Sequence, residues 1–394
     1  MCGIAGAISK NKVESFLITE IEEACRQQVH RGPDDRGTAV ADLESGRIIT
    51  NYTSDRVEGK VALGFVRVSI QDLSENGHQP MVSDDGKVVL VYNGEIYNFK
   101  ILRAELENIG YKFKSNTDTE VILKLYLEYG ITRTLELING MFSLAIVDLR
   151  NRKMYIARDR FGIKPLYIAR TSNSFIFASE IKSILAFKDF KPFLDEHAVQ
   201  EFMLFKSCMK RTLLKDVEQV IPGTMIEYDL DSNDIRDNRY FDVENYHRNK
   251  EGHFEDLKER TWETWKSVVG RQVISDVTVG CQLSGGIDSS IITKIVSEEH
   301  RLYDTVSCKV STDNQSDAEY IDLVKVKSGA KSHIRHIDEN VFMNNIIDAV
   351  WHFDGALSHT PSIGMLAISR CANENNIEVL LSGEGADELF GGYK

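Results

Sequence analysis

The sequence predicts an α+β layered domain followed by an α/β domain built on a parallel sheet. Three observations carry this. The 394 residues are enough for two or three domains. Short β-branched or aromatic stretches bounded by turns recur up to residue 178, with helical stretches grouped between them. From residue 277 onward, strand-like and helical stretches alternate, as in a parallel sheet with helices on both faces.

In the first domain, placed at 2–190, strands are expected at Ile4–Ile8, Val61–Ile70, Val88–Tyr92, Phe142–Asp148, Met154–Ala157, Leu166–Ala169 and Phe175–Ala178. Helices are expected at about 13–28, 98–109 and 118–129. Residues 191–255 read as a connection, with a turn at Ile221-Pro222-Gly223 and a polar, hairpin-like stretch from Asp229 to Asn238. The second domain, 256–394, begins with a helix to about residue 272 whose Leu257, Trp262, Trp265, Val268 and Val269 recur at helical spacing. A buried-type strand Val277–Leu283 follows, then a Gly-Ser loop and the helix Ile291–Glu299. Strands Thr305–Val310, His333–Ile337 and Glu378–Leu381 alternate with helices Asp317–Ser328, Glu339–Trp351 and about 362–375.

Composition narrows the function. Hydrophobic residues make up 42% of the chain, ordinary for a globular protein. No apolar run approaches the roughly 20 residues of a membrane span, and the N-terminus lacks the basic-then-apolar pattern of a signal peptide. A net charge of −13 argues against a general nucleic-acid binder. The six cysteines are scattered without a CxxC pair, which points to reduced thiols and a cytoplasmic setting.

Met1-Cys2-Gly3 opens the chain. Removal of Met1 would leave one residue carrying both a nucleophilic sulfur and a free α-amine. That amine titrates near about pH 8, so part of it is a neutral base able to take the thiol proton without a separate histidine. The competing reading is a small apolar residue opening a strand. Four polar clusters follow. His30-Arg31-Gly32-Pro33-Asp34 turns the chain after a helix. Arg67 lies in an apolar run, where it points to solvent or grips a carboxylate bidentately. Asn93-Gly94-Glu95 reads as a hairpin turn, or as an oxyanion hole with the Asn93 amide and the Gly94 N–H as donors. Thr117-Asp118-Thr119-Glu120 has capping-box spacing, and Asp118 could instead pair with a substrate amine.

In the second domain, Ser284-Gly285-Gly286-Ile287-Asp288-Ser289-Ser290 joins a strand to a helix, which makes an anion cradle. The lysine of the usual P-loop is absent. The last strand runs into Ser382-Gly383-Glu384-Gly385-Ala386-Asp387-Glu388. Its acids either serve a helix N-terminus, or Asp387 joins Asp288 in holding Mg²⁺ against phosphate oxygens.

Taken in order, MCGIAG, HRGPDD, NGEIYNF, SNTDTEVIL, GMFSLAIVD, ARDRFGIKPLY and FASEIKSIL resemble the glutaminase domain of class II glutamine amidotransferases. The Gly-Ser loop and SGEGADE resemble the second domain of the glutamine-hydrolysing asparagine synthetases. The resemblance implies an α+β N-terminal-nucleophile αββα sandwich, followed by an incomplete α/β parallel-sheet ATP-pyrophosphatase domain of the adenine nucleotide α-hydrolase type. It implies Cys2 as nucleophile, Asn93 and Gly94 as oxyanion donors, and a glutamine site of Arg67, Val68, Ser69, Ile70, Gln71, Asn93, Gly94, Glu95 and Asp118. Leu283, Cys308, Ser382 and Gly383 would line ATP. Ser284, Gly285, Gly286, Asp288, Ser289 and Ser290 would take its phosphates, Asp288 and Asp387 would hold Mg²⁺, and Glu384 would assist the acyl-adenylate.

The expected reaction is glutamine-dependent asparagine synthesis, with ammonia from glutamine amidating an ATP-adenylated carboxylate. The expected partners are glutamine, ATP and aspartate, with no nucleic acid and no membrane; a homodimer is left open. Two departures from the family leave room for other readings. Asp354-Gly355-Ala356 stands where the family often has Asp-Glu-Pro, so the acceptor could be another carboxylate, such as a sugar acid of a surface polysaccharide. The sequence stops at Lys394, where the family continues with a helical portion. A fragment, a natural truncation, or a glutaminase or interaction protein with an inactive ATP half would each fit that.

Overall fold

Strand β1 (Gly3–Ser9) is buried over its whole length, so both of its faces are covered. Alternation supplies both faces: Ile4 and Ile8 turn toward a core between two sheets, Ala5 and Ala7 toward a core under a helix. The computed structural model describes residues 1–10, 15–50, 56–246, 252–299, 304–310, 316–358 and 361–392. The chain forms two units, Met1–Arg248 and Asn249–Lys394.

The first unit continues through β2 (Ser15–Leu17), α1 (Ile18–Gln27), β3 (Asp35–Asp42), β4 (Arg47–Thr50), β5 (Arg56–Glu58), β6 (Val61–Arg67), β7 (Met81–Val82) and β8 (Val88–Ile96). Then come α2 (Phe99–Asn108), α3 (Asp118–Leu137), β9 (Gly140–Asp148), β10 (Lys153–Arg158), β11 (Tyr167–Arg170), β12 (Ser174–Ala178) and α4 (Ile181–Ile184). Further on lie α5 (Glu196–Phe205), β13 (Val217–Gln219), β14 (Thr224–Asp229) and β15 (Ile235–Arg239).

One antiparallel sheet has the order β13-β11-β12-β1-β6-β3-β4, the other β15-β14-β10-β9-β8-β7. Their inner faces share a core that includes Ile4, Phe65, Val91, Ile156 and Tyr228. Helices α1 and α4 cover the first sheet, with Ile21, Ala24 and Ile184 against Ala5, Ala62 and Ala178. Helix α3 covers the second: the Tyr126 hydroxyl donates to Asp148 Oδ2 at 2.8 Å, and its ring packs on Tyr155. The layers are therefore helix, sheet, sheet, helix, the αββα arrangement that the resemblance implies.

Several elements differ from expectation. Asn93-Gly94 is not a turn but lies inside β8, paired with Ser143 and Phe142 of β9. The glycine serves close approach there, since a Cβ on Gly94 would stand 2.3 Å from Met141 O. The helix expected at about 13–28 starts at Ile18, residues 11–14 lie outside the described residues, and Ser15–Leu17 pairs with β5. The stretch 191–255 supplies α5 and three strands to the first unit. Thr117 does cap α3, accepting from Glu120 N–H, but Glu120 returns to the N–H groups of Lys114 and Ser115.

The second unit opens with α6 (Phe254–Gln272), then β16 (Val279–Gln282), α7 (Ile287–Glu299), β17 (Asp304–Val310), α8 (Ser316–Ser328) and β18 (Lys331–Ile337). Helices α9 (Glu339–Phe353) and α10 (Pro361–Glu374), strand β19 (Val379–Leu381) and α11 (Ala386–Phe390) follow. The four strands are parallel in the order β18-β17-β16-β19. The chain moves outward from β16 through β17 to β18, then returns to the other side of β16. This reversal makes a topological switch point between β16 and β19, and ligands of such sheets bind outside the strand C-ends there.

Candidate functional site

Alternation along three strands brings the candidates of the first unit to one place. On β1, Ile4 and Ile8 face the inter-sheet core, and Cys2 packs against that same core. On β6, Val61, Leu63 and Phe65 face it, which carries Arg67 to its end. On β8, Val89 and Val91 face it, which carries Asn93 and Glu95 there. Gly3 pairs with Val66, so Cys2 and Arg67 are next across the ladder. The Cys2 thiol reaches Val68 O at 3.7 Å.

Asn93 is 1% exposed, yet neither Nδ2 nor Oδ1 has a partner among the described residues. Leaving a buried amide unpaired costs about 1–3 kcal/mol, which is why most are paired. Its cross-strand neighbour Ser143 also carries a buried, unpartnered hydroxyl. Arg67 is less free than its sequence context suggests. Its Nη1 donates to Ser74 O at 3.1 Å, and its Nη2 to Gln71 O at 3.2 Å and Asp72 O at 2.6 Å. The guanidinium thereby shapes the loop after β6 and retains its Nε–H and one Nη1 proton.

Two carboxylates and a lysine complete the cluster. Gln71 Nε2 donates to Glu95 Oε2 at 2.7 Å. Asp118 Oδ2 accepts from the Tyr92 hydroxyl at 2.7 Å and from Ile96 N–H at 2.8 Å. Burial, with Asp118 beside it, pushes the Glu95 carboxyl well above the usual range. Burial also pushes Asp118 up to about 6, against the pull of its two bonds. Lys164 is pulled down to about 8 by burial; Glu95 pulls the other way and Arg31 adds to the fall. Burial pushes the Cys2 thiol up. It pulls the Met1 amine down to about 5, although the Met1 side chain is exposed. Met1 stands one residue ahead of the amine that its removal would expose.

A second buried cluster adjoins the head of β1. The 3-10 turn Val29–Arg31 presents His30 and Arg31. Arg31 Nε donates to Cys2 O at 3.0 Å, and its Nη1 to Glu180 Oε1 at 2.9 Å. Glu180 also meets His30 Nε2 at 2.9 Å and Lys182 Nζ at 2.6 Å. Burial disfavours its charge, but His30, Arg31 and Lys182 outweigh that and bring the carboxyl from 4.5 down to about 2. A depressed carboxyl adds stability that is present above pH 4.5 and lost as pH falls toward 2. The shift corresponds to about 3 kcal/mol. Urea unfolding of Glu180→Gln should therefore lose about 3 kcal/mol less than the wild type over that pH range. Parallel pH profiles for the two proteins would contradict it.

In the second unit, the loops after β16 and β19 meet at the switch point. A Cβ on Gly383 would stand 2.9 Å from Asp288 Cβ and 3.3 Å from Ser289 N, so the loops approach as closely as glycine permits. The first loop is folded by its own hydroxyls: Ser284 and Ser289 Oγ lie 3.0 Å apart, and Ser290 Oγ donates to Gly286 O at 2.7 Å. Gly285 takes a left-handed φ of 90°, and Leu283 N–H extends the ladder to Val306 O. Helix α7 starts at Ile287, and its first N–H groups have no intrahelical acceptors. Ser382 and Gly383 are half-buried in the second loop, and Glu384 is exposed. Cys308, in β17, packs against the Val306, Ile368 and Cys371 cluster under α10.

Mg²⁺ needs one or two carboxylates when phosphates supply further ligands. No group of three metal-ligating side chains occurs among the described residues. Asp288 and Asp387 sit in the first turns of α7 and α11, after adjacent strands, so the donor set fits a nucleotide-bound cation and not a protein cage.

Sequence reasoning missed Lys164, Ser143 and Glu180. Lys164 lies between Ile163 and Pro165 in a loop, and Ser143 inside an apolar strand. Each lies inside a stretch that carries the family resemblance, Ser143 in GMFSLAIVD, Lys164 in ARDRFGIKPLY and Glu180 in FASEIKSIL, but none of those stretches gives it a role.

A layered sandwich that presents a thiol at the head of its first strand is the architecture of the glutamine amidotransferase class. Residues 1–241 match the family described as glutamine amidotransferase domain, and residues 263–394 the family described as asparagine synthase. The chain belongs to the family of glutamine-hydrolysing asparagine synthetases. All of it aligns at 35% identity with asparagine synthetase (glutamine-hydrolyzing) 1 of Bacillus subtilis (strain 168), covering 59% of that protein. All of it also aligns at 32% identity with a putative asparagine synthetase (glutamine-hydrolyzing) 2 of Methanocaldococcus jannaschii, covering 76%. Amidase chyE of Penicillium rubens is 30% identical, with 59% of its length covered. No helix among the described residues is long and apolar enough to cross a membrane.

Proposed function

We propose that Cys2, made the first residue by removal of Met1, hydrolyses glutamine to glutamate and ammonia. The observation that carries this is the buried, unpartnered Asn93 amide facing the same interior as Cys2. Sulfur attacks the side-chain amide carbon while the α-amine takes the thiol proton. The carbonyl oxygen gains charge, and the Asn93 amide and Gly94 N–H stabilise it. The proton passes to the leaving nitrogen, ammonia departs, and water hydrolyses the γ-glutamyl thioester. Val68, Ser69, Ile70 and Gln71 wall the pocket. Arg67 offers its remaining donors to the α-carboxylate, and a substrate ammonium brings Glu95 and Asp118 the opposite charge that stabilises buried acids.

The second unit takes ATP across its switch point, with Leu283, Ser382 and Gly383 beside the nucleotide and the loop Ser284–Ser290 at the phosphates. Mg²⁺ held by Asp288 and Asp387 would neutralise phosphate charge. A carboxylate is a poor electrophile. Its attack on ATP gives an acyl-adenylate and pyrophosphate, with Glu384 assisting, and ammonia then displaces AMP. Aspartate is the acceptor we favour, because the Bacillus and Methanocaldococcus relatives bear that synthetase name. The relative named an amidase, with Asp354-Gly355-Ala356 in this chain, supports a different carboxylate as the second reading.

An electrophilic glutamine analogue followed by mass spectrometry should place the label on Cys2 of a chain lacking Met1. A label elsewhere, or a retained methionine on active protein, would overturn the nucleophile assignment. Pyrophosphate release measured with aspartate and with other acids would then separate the two acceptors.

A further inference from the structure

We infer that Glu180 positions the nucleophile through Arg31 and so sets the rate of glutamine hydrolysis without touching substrate. This rests on the proposed role of Cys2. Cys2 precedes β1, whose ladders begin at Gly3 with Val66 and at Ala5 with Ala178. Once Met1 is removed Cys2 is a chain end, and chain ends fray unless tied down.

The tie comes from two consecutive residues after β12. Ser179 grips Ile4 twice, its Oγ accepting from Ile4 N–H at 3.0 Å and its N–H donating to Ile4 O at 2.8 Å. Glu180 reaches one step further, through Arg31, to Cys2 O. Arg31 uses its planar fork in two directions, Nε toward Cys2 and Nη1 toward Glu180, which the single ammonium of lysine cannot reproduce. Among the described residues its Nη2 has no partner, so Glu180 is the acceptor that aims Nε at the nucleophile's carbonyl. A misplacement of about 1 Å at a reacting centre costs on the order of 100-fold in rate.

The test is the steady-state kinetics of glutamine hydrolysis for Glu180→Gln, Arg31→Lys and the double variant, with sites counted by Cys2 labelling. Each single variant should lower kcat about 10- to 100-fold, with KM changed no more than about twofold. The double should be no slower than the slower single, because both changes cut one link. A structural role alone would lower the melting temperature and leave kcat per labelled site at the wild-type value, and that result overturns the inference; so does a double variant whose losses multiply. If Glu180→Gln does not fold, Arg31→Lys decides alone, since it keeps a cation beside Glu180. The two ideas fail separately. Glutamine hydrolysis surviving in Cys2→Ala removes the underlying reading. An inactive Cys2→Ala beside wild-type kcat in the other variants removes only the positioning role.

Discussion

Alanine at Cys2 is expected to abolish glutamine hydrolysis, by on the order of 10⁴-fold or more, as loss of a nucleophile does when the site acts as a unit. Burial pushes Cys25 and Cys281 up to about 12 and raises Cys208 and Cys371 as well, and unlike Cys2 none of these four can become a chain-terminal residue whose α-amine takes the thiol proton. The fold should survive, because Cys2 is only half-buried and lies outside the β1 ladder. The second unit contributes none of the atoms that change. On the proposed function, ammonium salts in place of glutamine should therefore still support product formation, and assays of glutamate release and of ammonium-driven product separate the two halves. Wild-type glutamate release from the variant would place the nucleophile elsewhere.

Asn93→Ala should cost about 10²- to 10³-fold in kcat, with little change in KM, because an oxyanion donor acts mainly in the transition state. Stability should move the other way. The wild-type amide is buried with no partner among the described residues, so alanine removes a desolvated group and breaks no protein hydrogen bond. Unfolding in urea should show a gain of about 1–3 kcal/mol, less the packing lost with the side chain. A slower but more stable variant identifies a residue kept for chemistry. A slower variant that is also less stable would mean that Asn93 holds the sheet, and its catalytic assignment would fall.

Much of the fold was legible in short stretches. The strands Ile4–Ile8, Val61–Ile70 and Val88–Tyr92 were legible as apolar, β-branched runs. Both faces of these runs are apolar and buried, so only the structure shows that Ile4, Leu63 and Val91 look between the sheets and that Arg67 and Asn93 end up at one edge of that space. The Gly-Ser loop between a strand and a helix was equally plain, and β16 and α7 flank it. Apolar runs and turn-forming residues are properties of neighbours in the chain, so they survive in the bare sequence.

Other features became visible only in three dimensions. Asn93-Gly94 has the composition of a turn, and β9 holds it in a strand because its backbone packs against the missing Cβ. Arg67 was open between solvent and a carboxylate, and three carbonyls of its own loop claim it. Glu180 meets His30 across 150 positions, and Lys164 feels Cys2 from the far side of the domain's sequence. A side chain's charge and freedom depend on what surrounds it once water is excluded. Those surroundings come from segments far apart in the chain, and neither segment alone carries a trace of the other.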